Sequence, residues 1–123
     1  VDDSEDELFL FRRAFERSDL KERWEIKSAL GGEEALKYLD TIRQQNSPKP
    51  DLVLVDLKMP VVNGLEVLKW MQSNVPEVRA AVLSSSELQS DRNRANELGA
   101  VAYLPKAETF KAVIEFLKGC GQQ

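Results

Sequence analysis

Residues 51–56 read Asp-Leu-Val-Leu-Val-Asp, and no other segment limits the fold as strongly. Four apolar residues in a row, Leu52 to Val55, do not alternate as a half-solvated strand would. They read as a strand buried on both faces, as in the interior of a parallel sheet. Asp56 then stands at the carboxyl end of that strand. Open α/β sheets bind ligands outside the carboxyl ends of their strands. Pro60 and then Asn63-Gly64 mark an exit through a loop and turn, so this acid faces a crevice rather than the core.

The flanking sequence alternates between helical and extended patterns. Ser4 with Glu7 has the form of a capping box, and Leu8, Phe11 and Phe15 recur at helical spacing; together they predict a helix over about residues 5–17. Trp24-Glu25-Ile26-Lys27-Ser28 alternates apolar and polar, which predicts a short edge strand. Gly31-Gly32 punctuates, and Ala35, Leu36 and Leu39 carry a second helix to about residue 44. Leu65, Leu68 and Met71 predict a third, over about residues 65–73. Residues 80–84 read as another buried strand, and a polar helix with Leu88, Ala95 and Leu98 stops at Gly99. Residues 101–104 form a last strand, and Phe110, Val113, Ile114 and Leu117 define a closing helix over about residues 108–118. Such alternation implies a parallel sheet with helices on both faces. That order lacks a strand ahead of the first helix except for Val1. The expectation is one domain over residues 1–123 whose first strand lies largely upstream of Val1.

Composition narrows the function classes. A chain of 123 residues, 42% hydrophobic and 31% charged, suits one globular domain with a single core. Its net charge of −4 gives no general attraction to nucleic acid or to an anionic membrane. No apolar run approaches a membrane span, and no signal peptide is visible. Cys120 is the single cysteine, so no internal disulfide forms, in keeping with a cytoplasmic protein. Histidine is absent, which removes Ser-His-Asp and Cys-His catalysis.

In a parallel sheet the carboxyl ends of all strands share one rim. Asp2-Asp3 follow the inferred first strand, Asp56 the third, Ser84-Ser85 the fourth and Lys106 the fifth. Three carboxylates crowded together repel unless a cation joins them, and an all-oxygen set suits Mg²⁺. Mg²⁺ also coordinates phosphate oxygens. Lys106 adds a mobile cation and Ser84 a hydroxyl donor for further phosphoryl oxygens. In that setting Asp56 is able to attack phosphorus and become an acyl phosphate. Taken singly, each residue has a plainer reading. Asp2-Asp3 would be solvated or capping acids, Asp56 a pre-turn residue and the serines a helix cap. Lys106 would be a surface lysine and Tyr103 a packing residue. Convergence on one rim weakens all of these together.

At this point the sequence resembles a family, the receiver domains of two-component response regulators. The carriers are Asp2-Asp3, Asp56-Leu57-Lys58-Met59-Pro60 with Asn63-Gly64, Val82-Leu83-Ser84-Ser85, Gly99-Ala100 and Tyr103-Leu104-Pro105-Lys106. The resemblance spans essentially the whole chain. It implies a doubly wound, flavodoxin-like α/β fold with a five-stranded parallel sheet of order 2-1-3-4-5. It also implies roles: Asp56 the phosphoacceptor, Asp3 a direct Mg²⁺ ligand, Asp2 a ligand through water and the Lys58 backbone carbonyl a further ligand. Ser84 would be the switch hydroxyl, Tyr103 the aromatic that changes rotamer with it, and Lys106 the phosphoryl-binding lysine. The acidic start and the loop over residues 43–50 are similar to those of stand-alone receivers paired with phytochrome-like or other sensor kinases.

One departure stands out. Ala107 occupies the position that carries a proline after the lysine in this family, and a cis peptide before alanine costs about 2.5–4 kcal/mol. The Lys106-Ala107 loop is therefore expected to differ.

The expected function is a switch that takes a phosphoryl group from a sensor histidine kinase or phosphotransfer protein. Any turnover is confined to its own phosphorylation and dephosphorylation. A homodimer through the last strand and helices is a second expected contact; nucleic acid and membrane are not expected partners. The alternative is a receiver-like module that binds protein without being phosphorylated. A phosphatase of the haloacid dehalogenase type would want a second acid two residues after Asp56, and Lys58 is there instead.

Overall fold

The computed structural model describes residues 1–84, 88–105 and 110–120. In chain order the elements are helix α1 (Glu5–Glu16), a 3₁₀ turn (Asp19–Glu22), α2 (Gly32–Gln45), strand β1 (Leu52–Asp56) and α3 (Gly64–Asn74). β2 (Arg79–Ser84), α4 (Gln89–Glu97), β3 (Ala102–Pro105) and α5 (Lys111–Cys120) follow. Ser4 caps α1 by accepting the Glu7 amide at 3.3 Å, and Glu5, Asp6 and Glu7 place negative charge at its positive end. Helix α2 ends at Asn46, which takes the left-handed conformation.

The central run behaves as expected of a strand covered on both sides. β1 pairs in parallel with β2 and β2 with β3, with Asp56 opposite Leu83 and Ser84 opposite Pro105. Successive side chains point to opposite faces. Val53, Val55, Ala80 and Val82 enter a core with Leu39, Val67, Leu68, Met71 and Ala95, under α2, α3 and α4. Leu52, Leu54, Leu83 and Leu104 turn the other way, onto Phe15, Leu20, Phe110, Val113 and Leu117 beneath α1 and α5. The helices thus lie on both faces, and two cores share one sheet.

Five positions across the sheet follow the expected order, but only three of them are strands among the described residues. Val1 and Asp2 sit beside β1: the Val1 amine donates to the Leu54 carbonyl at 2.6 Å and the Asp56 amide to the Val1 carbonyl at 2.9 Å. On the far side Asp2 forms a single parallel bridge with Leu30. The edge strand expected over residues 24–28 is not formed. A strand needs a pairing neighbour along its length, and residues 24–28 pair with no strand among the described residues. Alongside residues 24–28 lies a cavity of about 450 Å³, lined by Phe11, Phe15, Trp24, Ile26, Leu54 and Phe110 among others. The buried Trp24 Nε1 has no hydrogen-bond partner.

Two smaller differences are local. The closing helix starts at Lys111, after Phe110 with φ +53°. The 3₁₀ turn at Asp19–Glu22 was not expected; the Ser18 hydroxyl caps it by accepting the Leu20 amide at 3.2 Å, and Leu20 is buried beneath it. No helix among the described residues is long and apolar enough to cross a membrane.

Candidate functional site

Asp56 reaches the rim because β1 is held on both sides there. Its amide bonds back to Val1, and the next amide, Leu57, donates to the Leu83 carbonyl at 3.1 Å. Asp2 is fixed by the main chain too: its amide donates to the Ala29 carbonyl at 3.2 Å, and its carbonyl accepts the Gly31 amide at 2.8 Å. Its Oδ1 accepts the Ser4 amide at 3.0 Å, which ties the acid to the start of α1. Asp2 and Asp56 are buried, at 6% and 7% exposure, whereas Asp3 faces solvent.

One carboxylate oxygen each from Asp2, Asp3 and Asp56 lies within 4.8 Å of the others. Three carboxylates this close repel one another unless a cation or a proton joins them. The donors are all oxygen, and one side of the group is open through Asp3. That set fits Mg²⁺, which keeps several waters and takes one or two carboxylates plus phosphate oxygens.

The loop leaving β1 is held as firmly as the strand. Asn63 caps α3, its Oδ1 accepting the Glu66 amide at 3.0 Å while the Glu66 carboxylate reaches back to the Asn63 amide. The pair is a capping box. The Gly64 amide donates to the Leu57 carbonyl at 2.9 Å, and a Cβ on Gly64 would run into the Asp56 carbonyl and lie 2.8 Å from the Leu57 Cα. Val61, between them, is exposed and adopts φ +65°, a conformation uncommon for a β-branched residue. The sequence marked Asn63-Gly64 as a turn. The structure makes Asn63 a helix cap and Gly64 a point of close approach.

The ladder register brings the other rim residues alongside. Ser84 is buried at 4% and sits one position beyond Leu83, the partner of Asp56. Tyr103 pairs with Val82 and packs against the α2–α3–α4 core, with the Arg92 guanidinium 4.8 Å from its ring centroid. Arg92 was not singled out from sequence, since an arginine on a polar helix has no distinguishing pattern. Lys58 is exposed in the loop after Asp56. Lys106, Ala107, Ser85 and Ser86 lie outside the described residues.

This arrangement, a carboxylate cluster suited to a divalent cation at the carboxyl end of a doubly wound parallel sheet, agrees with the match of residues 1–118 to the response regulator receiver domain. The chain belongs to that family. Its members are phosphorylation-activated switches of two-component signalling, served by histidine kinases or phosphotransfer proteins. Among curated proteins it is 31% identical over 120 residues to the polar-differentiation response regulator DivK of Brucella ovis, covering 96% of this chain and 89% of that one. Among solved structures it is similar to the phosphorylated cyanobacterial phytochrome response regulator RcpA. The TM-score is 0.77 at 28% identity, over 98% of this chain and 86% of that one. The response regulator TrrA of Thermotoga maritima, in complex with Mg²⁺-BeF, matches with a TM-score of 0.76 at 25% identity, over 96% and 92% of the two chains.

Proposed function

We propose that Asp56 is the phosphoacceptor of this switch. Asp2, Asp3, Asp56 and the Lys58 backbone carbonyl would hold Mg²⁺, which offsets the carboxylate charge and orients phosphoryl oxygens. An Asp56 carboxylate oxygen attacks the phosphorus of a phosphohistidine on a partner kinase or phosphotransfer protein. The P–N bond breaks as an O–P bond forms, its electron pair returns to the ring nitrogen, and the imidazole leaves neutral with the proton already on its other nitrogen. The new group carries about −1.5 to −2 charge and three acceptor oxygens. The Ser84 hydroxyl turns onto one of these oxygens and Lys106 pairs with another. Tyr103 moves with Ser84, and the α4 face repacks as the output. The chain acts in the cytoplasm, and a homodimer through β3 and the neighbouring helices is the second contact in this reading.

The observation that carries it is the grouping of three carboxylates from two separate segments at the end of β1. The test is mass spectrometry after incubation with acetyl phosphate and Mg²⁺. One phosphoryl addition is expected, absent in Asp56→Asn and absent when EDTA removes the metal. Equal modification of the Asp56→Asn chain would overturn Asp56 as the acceptor, and no modification of the wild type would favour a module that binds without phosphorylation.

A further inference from the structure

Gly31 and Gly32 sit together, yet each is glycine for a different reason. Gly31 adopts φ +88° and ψ 164°, a region closed to other residues, while a Cβ placed on it would meet nothing within 4 Å. Gly32 is the reverse. It is the first residue of α2 and is buried, and a Cβ on it would collide with the Val62 carbonyl oxygen and lie 2.8 Å and 2.9 Å from the Val62 Cγ1 and Cβ. A collision with main chain cannot be relieved by a rotamer change, so a helix or a loop would have to move.

One partner of this pair, Asp2, belongs to the acidic cluster, and the other, Val62, lies in the loop that follows Asp56. The Gly31 amide bonds to the Asp2 carbonyl, and Gly32 presses on Val62, four residues after Lys58 and one before the Asn63 cap. The turn is therefore a spacer between the segment bearing Asp2 and Asp3 and the loop that follows Asp56. We propose that Gly32 is a positioning residue for the divalent-cation site. By having no side chain it lets α2 seat against Val62 and sets the distance between the acidic pair and the Lys58 carbonyl. This rests on the Mg²⁺ reading above.

The experiment is Mg²⁺ titration by calorimetry on wild type, Gly32→Ala, the double variant Gly32→Ala/Val62→Gly, and Leu39→Ala. Leu39 is buried on α2 seven residues beyond Gly32, so its truncation lowers stability while residues 32 and 62 stay unchanged. Gly32→Ala is expected to weaken Mg²⁺ binding on the order of tenfold, more than a small packing change alone produces. Because the closest collision is with the Val62 carbonyl oxygen, which Val62→Gly leaves in place, the double variant should recover little of the loss, and Leu39→Ala should bind as wild type does. Each chain is melted in parallel, and sucrose, which favours the compact state, keeps a marginal variant folded for titration. A folded Gly32→Ala that binds Mg²⁺ like wild type overturns the inference alone. So does a Leu39→Ala chain that loses as much affinity, because the effect would then be general destabilisation. A wild type that takes up no Mg²⁺ overturns the site itself and the positioning role with it.

Discussion

Where Asp2 meets Asp56, position is set by main chain, with amides and carbonyls of residues 1, 2, 29, 31 and 56 bonded across the sheet. Gly64 closes against the Asp56 carbonyl on the same side. At Ser84 and Tyr103 the β2–β3 ladder holds the main chain, and what covers it is set by side chains. Tyr103 lies under the Arg92 guanidinium, and α4, which carries that arginine, buries Ala95 as its one described core residue. The Arg94–Glu97 pair on the same helix spans 3.6 Å but is more than half exposed, so it adds little. A backbone lattice keeps a charged site in one geometry. A helix held by few buried contacts can repack at low cost, which is what a switch surface needs. One rim therefore combines a rigid binding end with a soft responding end.

The strongest way to break this contrast is Gly64→Ala. Its Cβ would strike main chain on both Asp56 and Leu57, so a loss of about 3 kcal/mol is expected in urea unfolding. Phosphoryl uptake from acetyl phosphate should fall on the order of tenfold with it. A variant with wild-type stability and uptake would show that the binding end is not rigid. Asn63→Ala removes one side of the capping box and should cost about 1 kcal/mol by the same unfolding measurement. Uptake should stay within about twofold, since Asp56 is held by other bonds. Arg92→Ala is the mildest, at about 0.5–1 kcal/mol for an exposed cation–π contact. Its signature is a change in the Tyr103 ring resonances by NMR, with phosphoryl uptake unaltered. If Arg92→Ala cost more stability than Gly64→Ala, the division into a rigid and a soft end would be lost.

Much of this was legible from residues 51–64 and the other strand ends, because buried parallel strands leave apolar runs and their ends share one rim. The acidic pair, Asp56, Ser84 and Tyr103 fall on that rim. The alternating segment over residues 24–28 is not a strand among the described residues, because alternation shows which residues suit a strand but not whether a partner runs alongside. Gly31-Gly32 looked like punctuation, since a sequence does not distinguish a glycine needed for its φ from one needed for a close approach. Arg92 gave no signal, as its stacking depends on α4 crossing above β3.

The sequence by itself determined the fold family and the chemical character of the rim, through hydrophobic runs whose period is local and acids whose type needs no neighbour to interpret. Only the tertiary structure decided which face each of Leu52, Val53, Leu54 and Val55 serves, since four apolar residues in a row carry no mark of direction. It alone brought Gly32 against Val62 and Arg92 over Tyr103, contacts between segments far apart in the chain whose distances depend on how helices pack on a sheet.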